Sequence, residues 1–197
     1  ETTQRVLEHK PDVVGLTITS HSIRCAATMA RQLKAASPGI TIVLGGSHVS
    51  AFPELALAVE AFDFAIQGDG EMPMEQLLDR LERKEEPTDI KGIIWRKDGN
   101  VVDNGPAEPY EDLDALPLPD RENLPTERYY TPSNAYRVAS TIMGSRGCPN
   151  RCVFCNVPHR FRARSPEHIV DEMEECKERY GIQEIHFQRV RNIRPIN

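Results

Sequence analysis

The 197-residue sequence has no long apolar run and is poor in aromatic residues, which make up 6% of the chain and include one tryptophan. A membrane-spanning helix needs about 20 consecutive apolar residues, so the sequence predicts no membrane span. The first residues show no signal-peptide pattern and open directly into a helical pattern. These absences favour a soluble, globular protein without a membrane span.

The chain also lacks an excess of positive charge, since its formal net charge is −6. Acidic chains with few aromatic residues do not favour a nucleic-acid partner. From Arg137 onward, however, 11 Lys and Arg residues face 7 Asp and Glu. Five of these arginines lie close to a group of cysteines: Arg146, Arg151, Arg160, Arg162 and Arg164. They either attract an anionic ligand or belong to a solvated loop, and the sequence leaves both open.

Cysteine is scarce, with five in the chain, but Cys148, Cys152 and Cys155 fall within eight residues in the spacing C-x-x-x-C-x-x-C. This clustering argues against a secreted disulfide framework and favours the reducing cytoplasm. Cys25 and Cys176 stand apart, and we predict that both are small buried core residues.

Three thiolates on one short loop can converge on a metal centre. They can ligate three irons of a 4Fe–4S cluster and leave the fourth iron open to a substrate or cofactor. A zinc site completed by His159 is one alternative. A ferredoxin-like electron carrier is another, but it would need a fourth nearby cysteine, which the loop does not contain.

Upstream of the cysteines, buried β-branched runs alternate with amphipathic helical patterns. Strands are predicted at 12–19, 40–44 and 62–66, and helices follow each of them, including 54–60 and 73–81. This alternation predicts an α/β fold with an open, doubly wound parallel sheet of the Rossmann or flavodoxin-like type. Ligands on such sheets bind at the carboxyl ends of the strands, here near 17–22, 45–48 and 68–71.

Residues 93–102 predict a hairpin with Asp98-Gly99 at its turn, and 105–132 is a proline-rich, acidic stretch typical of a linker. A strand at 138–143 then leads into the cysteine loop. Ser165 and Pro166 begin a helix, and a strand follows at 182–187, as in the first unit of a (β/α) barrel. We therefore predict three regions: an α/β domain at 1–85, a hairpin and linker at 86–136, and a barrel start at 137–197. Since one unit cannot close a barrel, we expect a longer natural protein and no turnover by this stretch alone.

Residues 145–155 resemble the cluster loop of the radical S-adenosylmethionine (SAM) enzymes. The cysteine spacing, the aromatic Phe154 before the third cysteine and the Arg-Gly-Cys-Pro lead-in carry the resemblance. The upstream sheet is similar to the cobalamin-binding domain of one branch of that family. Thr17 stands where that domain has a serine, Gly45-Gly46 matches its paired glycine, and 68–71 resembles its Gly-Glu-Gly-Glu segment.

The resemblance implies three cofactors and a set of residues that hold them. Cys148, Cys152 and Cys155 would ligate the 4Fe–4S cluster, whose open iron binds SAM, while Phe154 packs on the adenine and Gly147 gives the loop backbone freedom. Thr17 would hydrogen-bond the cobalamin tail, and Gly45 and Gly46 would leave room for it.

The family resemblance further implies radical cleavage of SAM and methyl transfer to an unactivated carbon of a small-molecule substrate. An external donor such as flavodoxin or ferredoxin would supply the electrons. Oxidative cyclisation and ring rearrangement are alternative reactions of the branch. A non-enzymatic alternative is a corrinoid-binding module whose cysteine loop holds zinc. A tRNA-modifying radical enzyme is disfavoured, because no basic RNA-binding module is present.

Overall fold

The computed structural model describes residues 1–129, 136, 138–155 and 160–188. The chain divides into two compact units, Glu1–Pro109 and Tyr110–Asn197. No helix in the described part of the chain combines the length and the apolar character that crossing a membrane requires.

The first unit is a five-stranded sheet with helices between its strands. The strands are β1 (Val13–Thr17), β2 (Thr41–Gly45), β3 (Phe64–Ile66), β4 (Ile93–Lys97) and β5 (Asn100–Asp103). The helices are α1 (Thr2–Glu8), α2 (Ile23–Ala36), α3 (Ser47–Ala51) and α4 (Glu71–Arg83). The strand order is β1-β2-β3-β4-β5; the first three strands run parallel, and β4 and β5 are antiparallel.

Both faces of this sheet are buried at β2, as its continuous apolar run predicts. On β2, Ile42 and Leu44 point to one face and pack with Leu33 of α2, while Val43 points to the other and packs in a cluster with Leu77 of α4. All five side chains are at most 2% exposed. Burial against helices on both faces confirms the predicted doubly wound α/β fold.

The hairpin forms where the sequence predicts it, with positive φ angles of 49° at Asp98 and 81° at Gly99. It is part of the first sheet rather than of the connecting segment, because β4 pairs with β3 through Ala65–Ile94 and Phe64–Trp95. Burial of the apolar side chains of β4 supports this pairing. The structure therefore divides the chain after Pro109, whereas the sequence placed the first boundary at 85.

The predicted helix at 54–60 is wrong. Helix α3 begins earlier, at Ser47, and a short 3₁₀ turn occupies Pro53–Leu55. Pro53 has no N–H to continue a helix and disfavours helical backbone at Phe52, whose φ and ψ are −136° and 63°. Ala56 and Leu57 follow this turn and are buried although they belong to no helix. Their apolar character imitates the buried face of a helix in the sequence.

The second unit contains the predicted strand, loop, helix and strand. Its elements are β6 (Ala139–Met143), β7 (Ser145–Arg146), β8 (Arg162–Ala163), α5 (Pro166–Glu178) and β9 (Glu184–Gln188). Strands β6 and β9 pair in parallel, and Ile142, Cys176 and Ile182 form the core beneath α5. The Ser165 hydroxyl accepts a hydrogen bond of 3.1 Å from the His168 amide, which confirms the predicted helix start.

We predict that Gly46→Ala destabilises the first unit much more than Gly45→Ala. Gly46 has a φ of 99°, and an added Cβ would lie 2.7 Å from the Ile18 carbonyl oxygen, so strain of about 1–3 kcal/mol is expected. A Cβ on Gly45 meets no atom within 4 Å, and the expected change is within about 0.5 kcal/mol. Urea unfolding measures both variants; equal destabilisation would contradict the assignment.

Candidate cofactor sites

The first candidate site lies at the carboxyl ends of β1 and β2. Thr17 pairs in register with Gly45. The Ile18 amide donates to the Gly45 carbonyl at 2.8 Å, and the His48 amide donates to the Ile18 carbonyl at 3.2 Å. The structure therefore brings Thr17, Gly45 and Gly46 to one edge of the sheet, where a doubly wound fold binds ligands.

The two glycines at this edge have different roles. Open space surrounds the position of a Cβ on Gly45, and Thr17 beside it is exposed. The space beside Gly46 is instead filled by the Ile18 backbone, so its missing side chain permits a close approach of two chain segments. Gly45 and Thr17 therefore leave open space at the ends of their strands, whereas Gly46 lets the loop after β2 lie against Ile18.

Side-chain hydrogen bonds join the three loops at this edge of the sheet. His48 is 8% exposed, and its Nδ1 lies 2.9 Å from the Ser20 hydroxyl. The Ser50 hydroxyl accepts from the Gly68 amide at 3.1 Å and donates to the Gly46 carbonyl at 3.3 Å. These contacts connect the loops after β1, β2 and β3, which limits how far each can move independently.

The second candidate site is the cysteine loop, which begins just after β6. Strands β7 and β8 pair antiparallel on either side of it, with Ser145 opposite Ala163 and Arg146 opposite Arg162. Gly147 has a φ of 77°, a left-handed conformation that glycine adopts without steric cost. A short ladder thus closes the base of the loop, and Gly147 turns the chain immediately before the first cysteine.

The three cysteine side chains lie at or near the surface. Cys148 is half-buried, Cys152 and Cys155 are exposed, and the Cys155 amide donates to the Cys152 carbonyl at 3.0 Å. Phe154 is 89% exposed. Within the described ranges, no three His, Cys, Asp or Glu side chains are grouped closely enough to hold a metal ion.

The structure thus places the cysteines on one loop without gathering their thiols. The donor set still fits a 4Fe–4S cluster with one open iron, because the loop supplies three thiols in the required spacing. His159, the fourth ligand of the zinc alternative, lies outside the described residues.

Comparison with known proteins matches both units. The B12 binding domain family matches residues 1–78, and the Radical SAM superfamily matches residues 142–189. An uncharacterised methyltransferase of Pyrococcus horikoshii, PH0819, is 32% identical over 182 residues, which cover 90% of this chain and 39% of that protein. The chain belongs to the cobalamin-binding radical SAM proteins.

One further relative of this cobalamin-binding radical SAM chain is a cyclase, and a solved methyltransferase structure shares its fold. The anaerobic magnesium-protoporphyrin IX monomethyl ester cyclase of Rubrivivax gelatinosus is 33% identical over 180 residues, 87% of this chain and 32% of the cyclase. The structure of the radical SAM methyltransferase TsrM from Kitasatospora setae, with cobalamin and a [4Fe-4S] cluster bound, has a TM-score of 0.70. At 20% identity over 90% of this chain and 38% of TsrM, that likeness shows a shared fold. The chain spans about two-fifths or less of these proteins.

Three arginines near the cysteine loop have partners within the chain, and two of them, Arg162 and Arg164, are largely buried. Arg160 pairs with Glu111, and Arg164 pairs with Glu172. Arg162 is 7% exposed and donates to the Tyr110 carbonyl at 2.7 Å. The partners of Arg160 and Arg162 lie in the proline-rich segment, far away in sequence, so the basic cluster alone did not indicate this structural role.

Sequence reasoning also missed Asp114, which accepts hydrogen bonds of 3.0 and 3.1 Å from the Ser165 amide. Its Oδ1 lies 3.0 Å from Nδ1 of His168. Hydrogen bonding to Ser165 is the largest cause that lowers the pKa of Asp114; partial burial opposes the shift, and His168 adds to it. Asp114 therefore joins the proline-rich segment to the start of α5 as an ionised carboxylate.

The two cysteines outside the loop behave differently. Cys176 is fully buried, which confirms its predicted core position, and burial raises the pKa of its thiol. The prediction for Cys25 is wrong: it is exposed on α2, because the buried face of that helix is formed by Ala26, Ala27, Ala30 and Leu33. Cys25 therefore serves as a control for experiments on the loop cysteines.

We predict that Asp114→Asn destabilises the second unit at neutral pH and that its effect shrinks in acid. The pKa of Asp114 is lowered on folding, so its stabilisation is present above the unfolded-state pKa and is lost as the pH falls through the folded-state value. Urea unfolding at about pH 7, above the unfolded-state pKa, and at about pH 3, below it, follows this loss. The exposed carboxylate Asp171 on α5 provides the control Asp171→Asn. If the free energy of unfolding differed from that of wild type by the same amount at both pH values, the prediction would be contradicted.

Proposed function

We propose that this chain is part of a cobalamin-dependent radical SAM enzyme that cleaves SAM reductively at a 4Fe–4S cluster and transfers a methyl group to an unactivated carbon of a small molecule. The observation that carries the proposal is the three-cysteine loop after β6 in the same chain as a B12-type sheet. The similarity to a Pyrococcus methyltransferase supports the transfer reaction.

The second unit would hold the cluster. Cys148, Cys152 and Cys155 would be the ligands; the exposed position of two of these thiols allows iron and sulfide to reach them. Phe154, with 89% of its surface exposed, would pack on the adenine of SAM. When bound, the cluster supplies the electron that cleaves SAM, and cobalamin supplies the methyl group.

The first unit would hold cobalamin at the edge formed by β1 and β2. The exposed Thr17 hydroxyl would donate to the nucleotide tail, and the open space beside Gly45 would admit it. Gly46 would act indirectly, by allowing the loop after β2 to lie against Ile18. A cytoplasmic location and an external flavodoxin or ferredoxin as electron donor complete the proposal.

Cyclisation is the second candidate reaction, and the similarity to the Rubrivivax cyclase favours it. Both reactions would use the same cluster loop, so the residues described here serve either one. The two differ in the fate of the SAM methyl group. Label from that group enters the product of a methyltransferase and does not enter the product of a cyclase.

We predict that the full chain, reconstituted anaerobically with iron and sulfide, gains a broad visible absorbance that Cys→Ala at 148, 152 or 155 abolishes. Each substitution removes one of only three thiolate ligands. Cys25→Ala is the matched control, because Cys25 is exposed like Cys152 and Cys155 but lies outside the loop.

Full cluster content in the triple cysteine variant would contradict the proposed ligands. Zinc in place of iron and sulfide, with corrinoid binding retained, would establish the alternative of a corrinoid-binding module with a zinc-holding loop. Metal analysis of the same reconstituted samples separates these outcomes.

A further inference from the structure

One buried carboxylate connects the two ends of the cluster loop. Glu172 of α5 is 1% exposed; its Oε1 lies 2.5 Å from Nη2 of Arg121, and its Oε2 accepts from Nη1 of Arg164. The arginine side chains are themselves only 6% and 10% exposed. A buried carboxylate is costly unless it is paired and hydrogen-bonded, so Glu172 depends on both arginines.

Arg164 fastens the outgoing end of the loop. It directly follows β8, and its amide donates to the Gly144 carbonyl at 3.0 Å. Its Nη1 also donates to the Met143 carbonyl at 3.2 Å. The residue that leaves the loop is thus bound to the last residue of β6, where the loop begins.

Arg121 fastens the strand that leads into the loop. Its Nε donates to the Ser140 hydroxyl and its Nη2 to the Thr141 carbonyl, both at 3.2 Å. Its Nη1 donates to the Pro119 carbonyl at 3.2 Å. One planar guanidinium therefore joins β6, α5 and the proline-rich segment, which a lysine ammonium cannot reproduce.

The proline-rich segment has other contacts with this unit, and they differ in strength. Leu113 is 3% exposed, and the Arg121 amide donates to the Tyr180 hydroxyl at 3.3 Å. Glu122 pairs with Arg179, but these side chains are 58% and 50% exposed. Exposed pairs contribute little to stability, so the buried Arg121–Glu172 pair and the contact of Asp114 with the Ser165 amide hold this segment more firmly than the Glu122–Arg179 pair does.

We propose that Arg121 is a positioning residue for the cluster: through Glu172 and Arg164 it fixes both ends of the cysteine loop and so slows loss of the cluster. The inference rests on the proposed function, since it takes Cys148, Cys152 and Cys155 as the ligands. Partners outside the ligand set commonly change metal retention when they are removed.

The test is iron loss from the reconstituted full chain to a chelator, under anaerobic conditions. Arg121→Met keeps an unbranched apolar stem and removes the charge and its donors, so iron loss should be faster by about tenfold or more. Glu122→Gln is the matched control, because it breaks the exposed contact between the same segment and α5. It should lose iron at the wild-type rate.

One further measurement and one further variant separate positioning of the cluster from a general loss of stability. The electron paramagnetic resonance signal of the reduced cluster should broaden in Arg121→Met, because a loosened loop base holds the cluster in more than one geometry. Arg121→Lys keeps the charge but cannot make all the contacts, so its rate should lie between those of wild type and Arg121→Met. If Arg121→Met fails to fold by circular dichroism, Arg121→Lys carries the test.

The outcomes distinguish this inference from the function on which it rests. A wild-type chain that takes up no cluster overturns the proposed function and the inference together. A wild-type chain that holds a cluster, with iron loss in a folded Arg121→Met variant equal to wild type, overturns the inference alone. If only Arg121→Lys folds, a wild-type rate in that variant also overturns it.

Discussion

Parallel strand pairing is the constraint on which both candidate sites depend. It aligns the carboxyl ends of neighbouring strands, so Thr17 lies opposite Gly45 in the first unit, and Met143 lies opposite Gln188 in the second. Ligands of such sheets bind at this edge, in the crevice between the loops that follow the strands. In each unit, the residues proposed to bind a cofactor therefore lie at or just after the carboxyl end of a strand.

Buried charge sets the local structure around the cluster loop. A segment whose composition is typical of a flexible linker contributes Arg121, which is 5% exposed, to the interior of the second unit. Glu172 is the common partner of this arginine and of Arg164. Arg121 and Arg164 thus hold the loop base together through Glu172, and the loop itself presents Phe154 and two thiols at the surface.

Features encoded by neighbouring residues could be predicted from the sequence: the buried strands, the Asp98-Gly99 turn, the Ser165-Pro166 helix start and the cysteine spacing. Features that depend on distant partners could not. Periodicity placed a helix at 54–60 that Pro53 prevents, and it missed the pairing of β4 with β3. Arg121 and Glu172 are 51 positions apart, and no local pattern relates them. The different roles of Gly45 and Gly46 likewise require knowledge of where the Ile18 backbone lies.

The central claim is that one protein holds both a corrinoid and an iron–sulfur cluster. The most direct measurement is the cobalt, iron, sulfide and zinc content of the full-length protein, purified anaerobically after reconstitution with cobalamin, iron and sulfide. The account predicts about one cobalt and about four irons per chain, with matching sulfide and no zinc. Zinc in place of iron, or a cluster without cobalt, would contradict it.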